Sequence, residues 1–303
     1  MAGKGEKGIM MTDRGKGLIA INAAVFLFGT AGLFGKLLIF SPLIIVLGRV
    51  TFASLALLIY LFIKRERILI EGKRVHYLLL IFCGVILAIH WLTFFHSIQV
   101  STVAIGLLSF STFPIYVALL EPLIFREKLG LKYLVLALIS LLGIRLLVPE
   151  FELANQTLQG VLWGSLSGLL FALLTILNRR LVTYYKAEKI ALYQNVIAML
   201  FLLPLTFRYL TDINSFGELG MLIVLGIVFT ALSHTLFIQG LKNVSARTAS
   251  IIACLEPVYG IVFAMLVIRE IPGIRTLAGG VIIIAAVLYV TISLKNESKL
   301  IEE

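Results

Sequence analysis

Apolar residues fall in ten runs along the chain, at roughly 18–39, 43–63, 77–97, 102–125, 131–148, 159–178, 188–207, 217–239, 246–268 and 273–294. Each is close to the ~20 residues that carry a helix across a bilayer. In hydrocarbon every backbone polar group must be satisfied, which leaves helices or a closed barrel. The runs are too long for barrel strands and do not alternate apolar with polar. The pattern therefore predicts an all-α membrane protein of ten transmembrane helices. The connection between the fifth and sixth runs, 149–158, carries Glu150, Glu152, Asn155 and Gln156 but no Lys or Arg.

The pattern also repeats. At an offset of 143 residues, Pro114, Tyr116, Leu123, Arg126, Glu127 and Gly130 fall on Pro257, Tyr259, Leu266, Arg269, Glu270 and Gly273. The same offset pairs Gly17 with Gly160 and Phe28 with Phe171. Each half then holds five spans, 18–148 and 159–294, with 1–17 and 295–303 as tails. Five is odd, so the second half enters the membrane upside down. Two inverted five-helix repeats are the construction of alternating-access transporters, with the binding site near the midplane between them.

Composition agrees with a lipid solvent. Of 303 residues, 60% are hydrophobic and 14% charged, and the mean hydropathy is +1.05. A soluble domain is nearer half apolar and a quarter charged. The net charge of +10 would suggest nucleic acid in a soluble protein, but these cations lie mainly between the spans, so no nucleic-acid partner is expected. With the N-terminus inside, the inner side receives Lys4, Lys7, Arg14, Lys16, Lys64, Arg65, Arg67, Lys73, Arg74, Arg126, Lys128, Lys132, Arg179, Arg180, Lys186, Lys189, Lys242, Arg247, Lys295 and Lys299. The outer side receives Arg208, Arg269 and Arg275, while Lys36, Arg49 and Arg145 fall within spans. This bias places both termini in the cytoplasm of a plasma or inner membrane. The first run is as long as a span and no small-residue cleavage site follows it, so it does not read as a signal peptide. Cys83 and Cys254 sit inside apolar runs and read as buried free thiols.

Several segments resemble a known family. Ser101-Thr-Val-Ala-Ile-Gly through Phe113-Pro-Ile-Tyr, then Phe125-Arg-Glu-Lys-Leu-Gly, is similar to the fourth and fifth spans of an EamA repeat. Leu255-Glu-Pro-Val-Tyr, then Ile268-Arg-Glu-Ile-Pro-Gly, is similar to the ninth and tenth, and Gly48-Arg-Val-Thr-Phe-Ala resembles the second. The EamA family belongs to the drug/metabolite transporter superfamily. The resemblance covers about 18–294 and implies ten spans, inner termini and export of small metabolites. Arg126 and Arg269 depart from it, standing where the family often has Gly before the Glu.

Candidate site residues follow from the cost of polar groups in lipid. An ionisable group at the midplane costs roughly 2.5–3.5 kcal/mol on insertion scales. Glu256 lies about 15 Å from each end of its span and cannot snorkel. Pro257 beside it weakens the helix one turn earlier. Glu256 reads either as a substrate- or proton-binding group or as a buried carboxyl bonded to a neighbouring helix. Arg49 could hold a carboxylate or phosphate in its fork or snorkel outward; its approximate counterparts, Gln194 and Asn195, are uncharged. Lys36 and Arg145 lie nearer the outer ends, where snorkelling suffices. His90 and Trp91 could bind substrate or relay a proton, or simply bond a neighbour. Tyr116 and Tyr259, repeat partners beside the prolines, could line the cavity or pack in the core. His96 and His234 are weaker candidates, and with His76 the four histidines show no metal-ligand spacing. The glycines Gly160, Gly164 and Gly168, and Gly29, Gly32 and Gly35, read as helix-packing surfaces.

No P-loop, nucleophile elbow or catalytic carboxylate pair occurs, and no cofactor or metal is called for. The leading expectation is a secondary transporter exporting small organic metabolites, amino acids or related compounds, with protons as a coupling ion. Its partners are the small-molecule substrate and membrane lipid; a homodimer is compatible with the pattern. The alternatives are a metabolite importer of the same fold, an integral membrane enzyme acting on lipid-linked substrates, and a non-transporting scaffold.

Overall fold

The computed structural model describes residues 12–125, 154–206 and 216–285, together with 139, 142, 143, 145–147 and 152. Among these residues eight helices are long and apolar enough to cross a membrane. They are α1 (Asp13–Leu37), α2 (Pro42–Ile63), α3 (Arg74–Val100), α4 (Val103–Glu121), α5 (Gln156–Leu181), α6 (Ala187–Thr206), α7 (Phe216–Gly240) and α8 (Ala246–Ile268). A shorter apolar helix, α9 (Ile274–Ala285), follows. The run expected at 131–148 lies almost wholly outside the described residues, as does the end of the run at 273–294.

Local chemistry starts these helices. Thr12, Thr102, Asn155 and Ser245 each accept a hydrogen bond from a backbone N–H of the turn they precede, which satisfies donors the helix cannot. Pro42 opens α2, where a missing N–H costs nothing. Two helices are broken at their prolines. In α4 the helix pauses at Ser111–Thr112, just before Pro114. In α8 a 3₁₀ turn, Ala253–Leu255, precedes Pro257. Hydroxyls repair part of the first break, with Ser111 donating to Leu107 O at 2.8 Å and Thr112 to Ser109 O at 2.7 Å.

The helices close into a ring. Contacts run from α4 to α5, to α3, to α6, to α2, to α7, to α1, to α8 and back to α4. Neighbours around this ring alternate between the chain's first half (α1–α4) and its second (α5–α8). Lipid gives helices no hydrophobic reason to associate, so close backbone approach must supply the contact. The glycines expected to pack do so. A Cβ on Gly29 would stand 2.6 Å from Glu256 O, and one on Gly168 2.8 Å from Phe110 O. Large apolar side chains such as Phe62, Leu78, Leu162, Leu200 and Leu266 remain exposed on the outside, where hydrocarbon is their solvent.

Candidate functional site

The middle of the ring holds a small cavity lined by Phe28, Ala31, Arg49, Leu87, His90, Trp91, Phe94, Phe110, Phe171, His234 and Glu256. Its volume is about 30 Å³, room for a water or two. Seven of the eight spanning helices contribute to it, all but α6. Two charged and two histidine side chains are packed into this apolar interior, each no more than 4% exposed.

Arg49 does not snorkel. Its guanidinium carbon sits over the Trp91 ring, 3.8 Å from its centre, with the Phe95 ring centre at 5.3 Å. Its Nε donates to Thr230 Oγ1 at 2.9 Å and its Nη2 to Phe229 O at 3.1 Å. Both partners sit in a π-helical stretch of α7, Ile227–Leu232. Thr230 in turn donates to Leu225 O at 2.7 Å, five residues back. The wider turn leaves the Phe229 carbonyl able to receive the guanidinium, and such π turns are frequent at functional sites. The arginine's charge is thus met by dipoles and an aromatic face.

Glu256 lines the same cavity, 3% exposed, at the restart of α8 after its 3₁₀ turn. Its Oε2 has no hydrogen-bond partner. Arg49 and Glu256 feel each other's charge, yet among the described residues no ion pair joins them. An unpaired buried carboxylate oxygen costs more than almost any other polar group in a core, and packing alone gives no reason for one here.

His90 bridges the halves. Its Nδ1 lies 3.1 Å from Ser167 O and 2.8 Å from Ser167 Oγ. A carbonyl oxygen only accepts, so Nδ1 carries the hydrogen and Nε2 is left as an acceptor. The ring stacks on Phe171 at 5.0 Å and 28°. His234 meets Trp91 edge-on at 5.8 Å.

Of the residues singled out from the sequence, the fold brings Arg49, His90, Trp91 and Glu256 to one cavity. Tyr116 and Tyr259 stand outside its lining. Both are half-buried against the core, and Tyr259 sets its edge on Phe26 at 5.3 Å. Gln194 and Asn195 are fully buried but away from the cavity, with Gln194 Nε2 donating to Asn178 Oδ1 at 2.6 Å. Lys36 donates to Ser101 O at 2.8 Å and Gln99 O at 3.3 Å, so its ammonium is held by carbonyls at a helix end. Both cysteines are buried free thiols. Sequence reasoning missed the aromatic wall of Phe28, Phe94, Phe110 and Phe171 and underrated His234. The repeat held one clue, since Phe28 and Phe171 are offset partners and their rings meet at 6.1 Å. Thr230 was not legible, because nothing in the residues announces the π turn.

A ring of membrane-spanning helices around a buried, charged and aromatic cavity is the construction of a membrane carrier. The chain matches the EamA-like transporter family over residues 15–148 and again over 158–292, and it belongs to that family. It is 23% identical over 296 residues to the uncharacterized inner membrane transporter YicL of Salmonella typhimurium, covering 94% of this chain and 98% of that one. It is 25% identical over 230 residues to the pseudopaline exporter CntI of Pseudomonas aeruginosa, covering 76% and 80%. To the uncharacterized transporter YxxF of Bacillus subtilis it is 27% identical over 184 residues, 59% of this chain and 58% of that one. A crystal structure aligns over 92% of this chain and 98% of its own, with a TM-score of 0.68 and 16% identity, a likeness of fold. The relatives are named as transporters. Among the described residues no cluster of His, Cys, Asp or Glu could hold a metal ion.

Proposed function

We propose that this protein is a secondary transporter that exports small organic metabolites, amino acids or related compounds, by alternating access, with protons as the coupling ion. The observation that carries the reading is the pair Arg49 and Glu256: opposite charges, buried in one aromatic cavity and not joined to each other. A structural ion pair would be closed. Held apart, the two poles suit a small molecule with an anionic group for the Arg49 fork and a cationic group or hydroxyl for Glu256 and His90 Nε2. The phenylalanine wall suits an apolar body. The reading takes the ten runs as two inverted repeats of five, with both termini in the cytoplasm, as the cation bias argues. The name of the Pseudomonas relative, an exporter, supports outward movement.

Glu256 is the residue proposed to couple transport to protons. With the carboxyl protonated from outside and substrate loaded from inside, the two would compete for one site. The purified protein in sealed vesicles, screened against candidate metabolites under an imposed pH gradient, tests this directly. Glu256→Gln keeps shape and hydrogen bonding but cannot ionise. The expected result is a folded variant that loses gradient-driven flux and keeps substrate exchange. Normal gradient-driven flux in well-expressed Glu256→Gln vesicles would end the coupling role, and accumulation against the inferred direction would make the protein an importer.

A further inference from the structure

We infer that Glu121 and Glu270 are the gate residues of the transport cycle, each closing one end of the central cavity by tying α4 to α8 across the two halves. The inference rests on the transport reading above and adds the device by which access would alternate.

Glu121 ends α4 in the first half. It is 4% exposed, yet its two oxygens are both taken by the second half. Arg179 Nη1, in the last turn of α5, reaches Oε1 at 2.9 Å, and Arg247 Nε, in the first turn of α8, reaches Oε2 at 2.5 Å. A buried carboxylate with two guanidinium partners is a strong clasp, because the bonds are charge-assisted and the carboxylate itself is shielded from water, although both arginines reach solvent. At the other end of the same pair of helices the roles reverse. Glu270, just past the end of α8, accepts from the backbone N–H of Ala104 in the first turn of α4 at 3.2 Å. Arg269 makes this reach possible. Its left-handed backbone, φ 56°, turns the chain back toward α4.

The two clasps lie on opposite sides of the cavity. Glu256 is nine residues past Arg247 and fourteen before Glu270, about 13 Å and 20 Å of helix. Their targets are also the same place in the repeat: Ala104 and Arg247 are separated by 143 residues, the offset that relates the halves. Each repeat therefore has its fourth helix seized at its start by a glutamate from the end of its partner. With both clasps made, the cavity shrinks to the ~30 Å³ observed, which is a closed state. Opening one clasp while the other holds would expose the cavity to one side. The chemistry is unequal, two guanidinium contacts against one backbone N–H, so the Glu121 end should be the harder to open. By the cation bias that end is cytoplasmic.

The test needs no substrate. A single cysteine replaces cavity-lining Ala31 in a Cys83→Ser, Cys254→Ser background, and its reaction with a membrane-impermeant methanethiosulfonate is timed in right-side-out and inverted vesicles. The parent should label faster from the Glu270 side. Glu121→Gln and Arg247→Gln should each raise labelling from the Arg179/Arg247 side by about tenfold, the loss of a charge-assisted bond. Glu270→Ala should raise labelling from the opposite side only. Thermal melting in detergent separates a gating effect from unfolding, since a misfolded variant labels from both sides and loses its transition. If folded variants leave the sidedness of the parent unchanged, or shift it the wrong way, the gate assignment is wrong while the transport reading stands. If Ala31→Cys is unreactive from both sides in every variant, the cavity is not alternately accessible and both fall.

Discussion

Thr230 does more for the site than its size suggests. Its hydroxyl receives Arg49 Nε and passes its own hydrogen to Leu225 O, so one oxygen fixes both the π turn and the guanidinium. Thr230→Val keeps the shape and removes both bonds. It should lower stability by about 1–3 kcal/mol, the cost of a buried donor left unmet, with Thr230→Ser restoring most of it; denaturation midpoints of the two variants decide this. Arg49→Lys should fail where Thr230→Ser succeeds, because an ammonium has neither the planar face that lies on Trp91 nor the fork that spans Thr230 and Phe229. The residue scale is also where the sequence was most and least informative. Arg49, His90, Trp91 and Glu256 stood out because polar groups in long apolar runs are costly. The phenylalanines did not, since an aromatic in a membrane helix is unremarkable until a cavity faces it. Tyr116 and Tyr259 drew notice from the repeat, but sharing a repeat position fixes a residue's place along a helix, not the direction of its face. The departure at Arg269 has a structural setting too: its backbone is left-handed, the region glycine enters freely.

At the scale of elements, spacing of apolar runs located the helices, while their interiors were harder to read. Prolines marked the breaks in α4 and α8, because a missing N–H has a defined consequence one turn back. The π turn of α7 has no such marker. Glycines predicted contact surfaces, and the structure divides them into two kinds. Gly29→Leu would drive a side chain into the α8 backbone at Glu256 and Tyr259, and it should cost about 1–3 kcal/mol through forced separation of α1 from α8. Gly220, in the first part of α7, meets nothing within 4 Å. Gly220→Ala should instead stabilise by about 0.5–1 kcal/mol through helix propensity alone. A matched pair of thermal melts in detergent checks both signs.

At the scale of the whole molecule, the ring order is the feature the sequence did not disclose. Repeat and span count implied two halves, and two halves suggest two bundles side by side. The contacts show them interleaved, each helix set between two from the other half. A half on its own would therefore leave nearly every packed face open to lipid, Gly29, Gly160 and Gly164 among them. Expressed as separate chains cut ahead of Gln156, each half should be degraded or aggregated alone. Expressed together they should assemble, recovering a monodisperse complex of full mass on size exclusion. Stable, monomeric halves in isolation would contradict the ring.

The closed cavity has a consequence for how tightly cargo can be held. With space for a water or two, a metabolite of the proposed class would enter only by moving Phe94, Phe110, Phe171 and their helices apart. Whatever attraction it gains from Arg49 and Glu256 is drawn down by that expansion, because the state competent to receive it is a minor one. If the cavity is the proposed binding site, affinity is drawn down even where recognition is specific. On the proposed transport reading, a protein built this way would work on abundant compounds and release them quickly, a relief valve in preference to a scavenger.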